Sequence, residues 1–287
     1  MDPVIFSIGK ISIRWYSLLI LVGIIIAYFL INREGIKKKL DKEFLFNTTF
    51  WVIIFGILGA RLYYVIFNFK IYKGNLLDIF KIWEGGLAIH GGILAGLITL
   101  IIYCNKNKVK KLVMTDIAVP GIIIAQAIGR WGNFFNKEAF GIATSIEFLK
   151  KIKIIPNFVI NNMLIYDSSD GIFAYRHPCF YYESLWCIVG FIILLLIRKY
   201  YKKREDGFLT GFYMFWYGLG RFFIECLRTD ALSLFGTSIR IAQVVSVILF
   251  IFGIYLMIYL IIKQNNNDAL IKEEPKQKRT RKVKKNK

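Results

Sequence analysis

Seven stretches of the chain are apolar for long enough to predict helices that cross a hydrocarbon layer: 13–31, 47–67, 86–103, 113–131, 179–197, 208–226 and 239–262. A bilayer core about 30 Å thick takes roughly 20 helical residues to cross. The apolar runs are continuous rather than alternating, which predicts α-helices and excludes β-barrel strands. The first run is too long for a signal-peptide core and has no clear small-x-small cleavage site after it, so it is expected to be an uncleaved first helix.

The polar segments between the runs differ in charge. Segments 32–43, 104–112, 198–207 and the tail 263–287 hold 24 of the 39 basic residues, whereas 1–12, 68–85, 132–176 and 227–238 hold ten. Short basic loops mark the cytoplasmic side of a membrane. The expected fold is therefore an all-α, polytopic integral membrane protein with seven transmembrane helices, its N-terminus outside and its C-terminus cytoplasmic. Residues 1–262 form the membrane domain. The segment 263–287 is expected to be a basic, disordered cytoplasmic tail against anionic lipid.

Five arginines fall inside or at the edge of the runs: Arg14, Arg61, Arg130, Arg221 and Arg240. An arginine at membrane depth costs about 2.5 kcal/mol or more, so each is a candidate functional residue. In this topology Arg14, His90, His177, Glu183 and Arg240 are early in inward-running spans. Arg61, Arg130, Asn133, Arg221, Glu225 and Arg228 are late in outward-running ones. All of them then lie near the outer face, a convergence that the loop charges do not require.

Composition narrows the chemistry. The chain is 56% hydrophobic with a net charge of +20. The positive charge sits in short loops and the tail, which points to lipid headgroups rather than nucleic acid. Cys104, Cys179, Cys187 and Cys226 are scattered and His90 and His177 stand far apart, so neither a metal site nor a disulfide framework is expected. No organic cofactor is implied.

Four segments carry the chemistry. In EGGLAIHGGILAG (84–96), His90 sits among glycines. It is either a proton acceptor near neutral pH or a buried histidine in a glycine-rich packing seam. In GRWGNFFNKEAFG (129–141), Gln126, Arg130 and Asn133 share one helical face, and the helix is expected to end near Gly132. Glu138 and Gly141 then fold back in an outer loop. A guanidinium beside amides suits phosphate, although a loop-stabilising network would look similar. In RHPCFYYE (176–183), Pro178 opens a helix and Glu183 lies about one turn inside, as a capping or ion-pairing group. In GFYMFWYGLGRFFIECLR (211–228), Tyr217, Arg221, Glu225 and Arg228 form one stripe within about 80°. Mutual neutralisation of Arg221 and Glu225 accounts for one pair in that stripe and not for the rest.

The segment 129–141 resembles the signature G-R-x-G-N-F-x-N-x-E-x-x-G of the bacterial prolipoprotein diacylglyceryl transferases at every fixed position. The His-Gly-Gly, HP…YE and Tyr-x-x-x-Arg-x-x-x-Glu segments, and Arg14-Trp15-Tyr16, resemble that family in the same order. The resemblance covers roughly residues 12–262. It implies an enzyme of the bacterial inner membrane with seven spans and its site toward the outer, periplasmic face. That enzyme transfers diacylglyceryl from phosphatidylglycerol to the lipobox cysteine of a prolipoprotein signal peptide and releases glycerol phosphate. The implied essential positions are Tyr16, His90, Arg130, Asn133, Glu138, Gly141, Tyr217, Arg221 and Glu225.

The expected roles are these. Arg130 and Arg221 hold the phosphate. Asn133, Glu138, Glu225 and Tyr217 orient the arginines and the headgroup, with Tyr16, Gly141 and Arg228 as further lipid-binding positions. His90 leads as general base, with Glu225 or Glu138 as rivals. A transporter or a non-catalytic lipid-binding scaffold are the alternative classes; the chain has no internal repeat of the transporter kind.

Overall fold

The computed structural model describes residues 2–8, 11–230 and 240–284. Residues 231–238 of the expected outer loop and 285–287 of the basic tail lie outside the described residues. Among those described, the long helices are α1 (Trp15–Lys37), α2 (Lys42–Phe67), α4 (Ile89–Lys106), α5 (Lys111–Asn136), α8 (Cys179–Tyr200), α9 (Phe208–Leu227) and α10 (Ile241–Lys284). Short helices α3 (Phe69–Tyr72), α6 (Ile146–Lys151) and α7 (Asn157–Asn161) lie in the connections. Two 3-10 helices, Leu76–Phe80 and Ile82–Glu84, lie between α3 and α4, and five short strands complete the described structure: β1 (Val4–Ile8), β2 (Ile11–Arg14), β3 (Ala143–Thr144), β4 (Leu164–Asp167) and β5 (Ile172–Arg176). The fold is mostly helical, and six of the long helices are long and apolar enough to cross a membrane. The helix α9, 20 residues long, is not among the six. Its tyrosines, glycines and Arg–Glu pair dilute its apolar character.

Two compact units divide the chain: 1–27 with 119–287, and 28–118. In the second unit, Asp41 caps α2 by accepting from the Phe44 amide at 2.9 Å, which satisfies one of the donors a helix start leaves free. The core of this unit gathers Phe44, Leu45, Cys104, Met114 and Ile117. Helices α2 and α4 cross where Gly59 faces Gly91 and Ala95, and Gly56 faces Gly92. Any Cβ at Gly59 or Gly91 would meet opposing backbone, so the glycines are what permits this approach.

In the first unit, Gly23 and Gly121 bring α1 against α5, and Gly211, Gly218 and Gly253 bring α9 against α10. Trp186 of α8 and Trp216 of α9 stack at 4.2 Å. Each indole donates to the other's backbone carbonyl at 2.9 Å. The segment 142–176, for which the sequence predicted no structure, folds as the antiparallel sheet β3-β5-β4 with α6 and α7. Its core of Leu149, Ile155, Val159, Ile160, Met163 and Ile165 packs on Phe134, Phe180 and Tyr181. Arg176, with no exposed surface, anchors this layer: it meets Asp170 at 2.6 Å and Asp167 at 3.5 Å.

Candidate active site

The site grows from the ends of three helices of the first unit. Helix α5 runs four residues beyond the predicted stop at Gly132, to Asn136, because the turns around Trp131 and Phe134 are held in the aromatic core. Asn133 is therefore helical, and its carbonyl accepts from the Glu138 amide at 2.9 Å. Lys137 and Ala139 then take positive φ, and the chain folds back as predicted. At Gly141 the amide donates to the His177 carbonyl at 2.8 Å. A Cβ there would sit 2.8 Å from Cys179 Sγ and 2.9 Å from the Leu227 carbonyl oxygen. Gly141 is thus a backbone junction joining the loop to the start of α8 and the end of α9, and a side chain there would crowd both.

Glu183 lies one turn inside α8 and is 3% exposed. Its two oxygens are divided between two helices. Oε1 is 2.5 Å from Arg130 Nη2 of α5, and Oε2 is 3.0 Å from Arg221 Nη1 of α9. The other terminal nitrogen of Arg221 meets Glu225 Oε2 at 2.7 Å. Two buried glutamates and two arginines therefore form a chain across α5, α8 and α9. The arginine side chains keep 21% and 15% exposure while the carboxylates hold the forks in place. Tyr16 and Tyr217 both lie within electrostatic range of Arg130. Tyr16 packs over Gly132, and Tyr217 stacks on Tyr213, whose hydroxyl accepts from Gln126 at 2.9 Å. Arg240 donates to the Glu225 carbonyl, which also accepts from the Arg228 amide at 3.2 Å, and so sets a cation at the negative end of α9. Arg228 forms a bidentate pair with Asp230, at 2.8 and 2.7 Å. Burial opposes ionisation of Asp230, but those bonds outweigh it and hold the carboxyl below its ordinary value.

This arrangement presents fixed cationic donors in an apolar surround, with their countercharges locked behind them. Such a site stabilises negative charge that develops on a phosphate oxygen.

A family model of prolipoprotein diacylglyceryl transferase matches residues 3–259. The chain belongs to that family. The phosphatidylglycerol–prolipoprotein diacylglyceryl transferases of Staphylococcus aureus strains MSSA476 and MW2 are each 47% identical to it over 265 residues, 92% of this chain and 91% of theirs. That of strain Newman is 46% identical over the same share.

Within this transferase, the predicted residues fall into groups. Arg221 and Glu225 are ion-paired, and Glu183 links Arg130 to them; Tyr16, Tyr217 and Gly141 surround the same helix ends. Glu138 is exposed, with its carboxylate 3.5 Å from Asn136 Nδ2. His90 belongs to the second unit, at the start of α4. It is not the buried packing histidine that one reading expected. The neighbouring glycines make the packing seam, while His90 is exposed with its ring 6.4 Å from that of Tyr63. The central residue of the cluster, Glu183, was read from the sequence only as a cap or ion-pair partner. Its isolation in an apolar run was the available signal, but the partners come from helices 53 and 38 residues away in sequence.

Proposed function

We propose that this transferase moves the diacylglyceryl group of phosphatidylglycerol onto the thiol of the lipobox cysteine in a prolipoprotein signal peptide, the first step of lipoprotein maturation. The observation that carries the site assignment is Glu183, which pairs with both Arg130 and Arg221 while each arginine side chain keeps part of its surface exposed. A substrate thiol ionises near 8.5, so a base must take its proton at neutral pH. The sulfur attacks the glyceryl carbon, a C–S bond forms and the C–O bond to phosphate breaks. The electron pair leaves on the phosphate oxygen as glycerol phosphate. Arg130 and Arg221 stabilise the charge growing there, more in the transition state than before it.

Asn133, Glu138, Tyr16, Tyr217, Gly141 and Arg228 shape the surrounding headgroup site. Glu225 is held by Arg221 at 2.7 Å, and His90, whose ring can exchange a proton near neutral pH, is the leading base.

The membrane arrangement follows from the same reading. The helix α9 packs between α8 and α10, and its 20 residues reach about 30 Å, which supports a seventh span. The loop charges support an outside N-terminus, a cytoplasmic C-terminus, the bacterial inner membrane and a site toward the outer face. The basic tail lies against anionic lipid.

Purified protein incubated with phosphatidylglycerol and a lipobox peptide should release glycerol phosphate and yield a thioether-linked lipopeptide. A folded, lipid-replete preparation that releases none would overturn the reading.

A further inference from the structure

Arg61 belongs to none of the groups above, yet it is a guanidinium 7% exposed in the second unit. Among the described residues its hydrogen-bond partners are all main-chain carbonyls. Nε donates to Ile79 at 2.8 Å and Nη2 to Asp78 at 2.7 Å, while Nη1 donates to Gly85 at 2.7 Å and Gly86 at 3.1 Å. The Tyr72 ring lies 5.3 Å from its carbon. A cation carried to this depth with no ion pair among the described residues is costly. Its four bonds all fall on one segment, 78–86, that connects α3 to α4.

His90 lies four residues beyond that segment, in the first turn of α4. Gly85 and Gly86 both have positive φ, at 92° and 70°. A Cβ at Gly86 would stand 2.5 Å from Arg61 Nη1. Two residues on, the Ala88 amide donates to the carbonyl of Ala60, the neighbour of Arg61, at 3.0 Å. Helix α4 starts at Ile89 without a side-chain cap. The direction in which the chain enters α4, and so the placing of His90 in its first turn, is set by the turn that Arg61 holds.

We propose that Arg61 is a positioning residue for the transfer reaction: its guanidinium fixes the Gly85–Gly86 turn that delivers His90. The proposal rests on the role given to His90 above. A lysine supplies one charged point and cannot span four carbonyls in a planar fork. A misplacement of about 1 Å costs on the order of 100-fold in rate. Arg61→Lys should therefore lower kcat by about 10- to 100-fold while KM for phosphatidylglycerol changes little.

The chain has two histidines, so ring spectra of protein labelled with 15N-histidine contain two sets of signals, assignable with His177→Asn. Arg61→Lys should shift those of His90 and leave those of His177 in place. Gly86→Ala, which keeps Arg61 but crowds the same turn, should shift the same signals if the lysine variant fails to fold. In a His90→Gln background, Arg61→Lys should cost little further, because residues acting as one unit are not additive. Unmoved His90 signals in a folded variant, or a full additional loss in that background, would overturn the proposal. Wild-type turnover by His90→Gln alone would instead remove His90 as base, and the spectra would still decide whether Arg61 places it.

Discussion

At the scale of single residues, the site depends on one carboxylate. Glu183 is buried between two guanidiniums from different helices. Removing one member of a buried ion-pair set leaves the others uncompensated, at a cost of roughly 3–5 kcal/mol. Glu183→Gln preserves shape and removes charge. It should lower the melting temperature and reduce turnover by about 100-fold or more, the size expected when fixed transition-state donors lose their geometry. Glycerol phosphate release and a thermal melt on the same sample check both halves. Arg130→Lys should be as severe in turnover with a smaller effect on stability, because a point charge keeps the pair but loses the fork. A fully active lysine variant would remove Arg130 from the phosphate. The sequence made the two arginines and Glu225 legible because intramembrane charge is costly and the stripe on α9 is periodic. It could not reveal that Glu183 joins them, since that depends on how α5, α8 and α9 pack. Nor could it show that Arg61 and Arg240 bind carbonyls.

Elements are held together here by small residues opposite large ones. Gly220, beside Arg221, and Gly190 make room for the interlocked indoles of Trp186 and Trp216. Gly220→Ala drives a methyl into the Trp186 ring, and such overpacking costs about 1–3 kcal/mol. It should lower stability and, by tilting the end of α9, also lower turnover. Gly129 has nothing within 4 Å of a Cβ. Gly129→Ala should therefore fold at least as stably, since alanine is better than glycine in a helix by about 1 kcal/mol. Comparing the two melts separates packing glycines from the rest. His177 ends the sheet layer, with Nδ1 3.2 Å from the Tyr182 hydroxyl, and burial lowers its pKa below 6.5. The fold favours the neutral ring, so its stabilising contribution is complete above pH 6.5 and is lost as pH falls below that toward the lower folded value. Melting temperatures from pH 8 to 5 should fall more steeply in wild type than in His177→Asn. The long helices were legible because twenty apolar residues have few alternatives. The layer 142–176 was not, because its strands are two to five residues long and its core is completed by Phe134, Phe180 and Tyr181 from elsewhere in the chain.

For the whole molecule, the proposed topology predicts which surfaces meet which compartment. Thiol labelling tests it. Cys104, Cys179 and Cys187 are buried and Cys226 is exposed, so Cys226→Ser gives a quiet background. In that background, Ser168→Cys places an exposed thiol on the turn between β4 and β5, in the segment assigned outside. Asn107→Cys places one in the basic connection between α4 and α5, assigned inside. A membrane-impermeant maleimide added to intact spheroplasts should modify the first and spare the second until the membrane is opened. The reverse pattern would invert the protein and move the arginine cluster to the cytoplasmic end of its helices. Labelling of both from one side would mean an even number of crossings between residues 107 and 168, whereas the proposal puts one there, α5. The charge asymmetry makes the expected sign definite: the connections assigned inside carry four or five Lys and Arg each within about a dozen residues. Drawing such charges outward opposes the membrane potential, at about 2.3 kcal/mol per charge per 100 mV. In the proposed topology the same asymmetry puts Arg130 and Arg221 at the outer ends of their helices, where an anionic lipid headgroup would reach them.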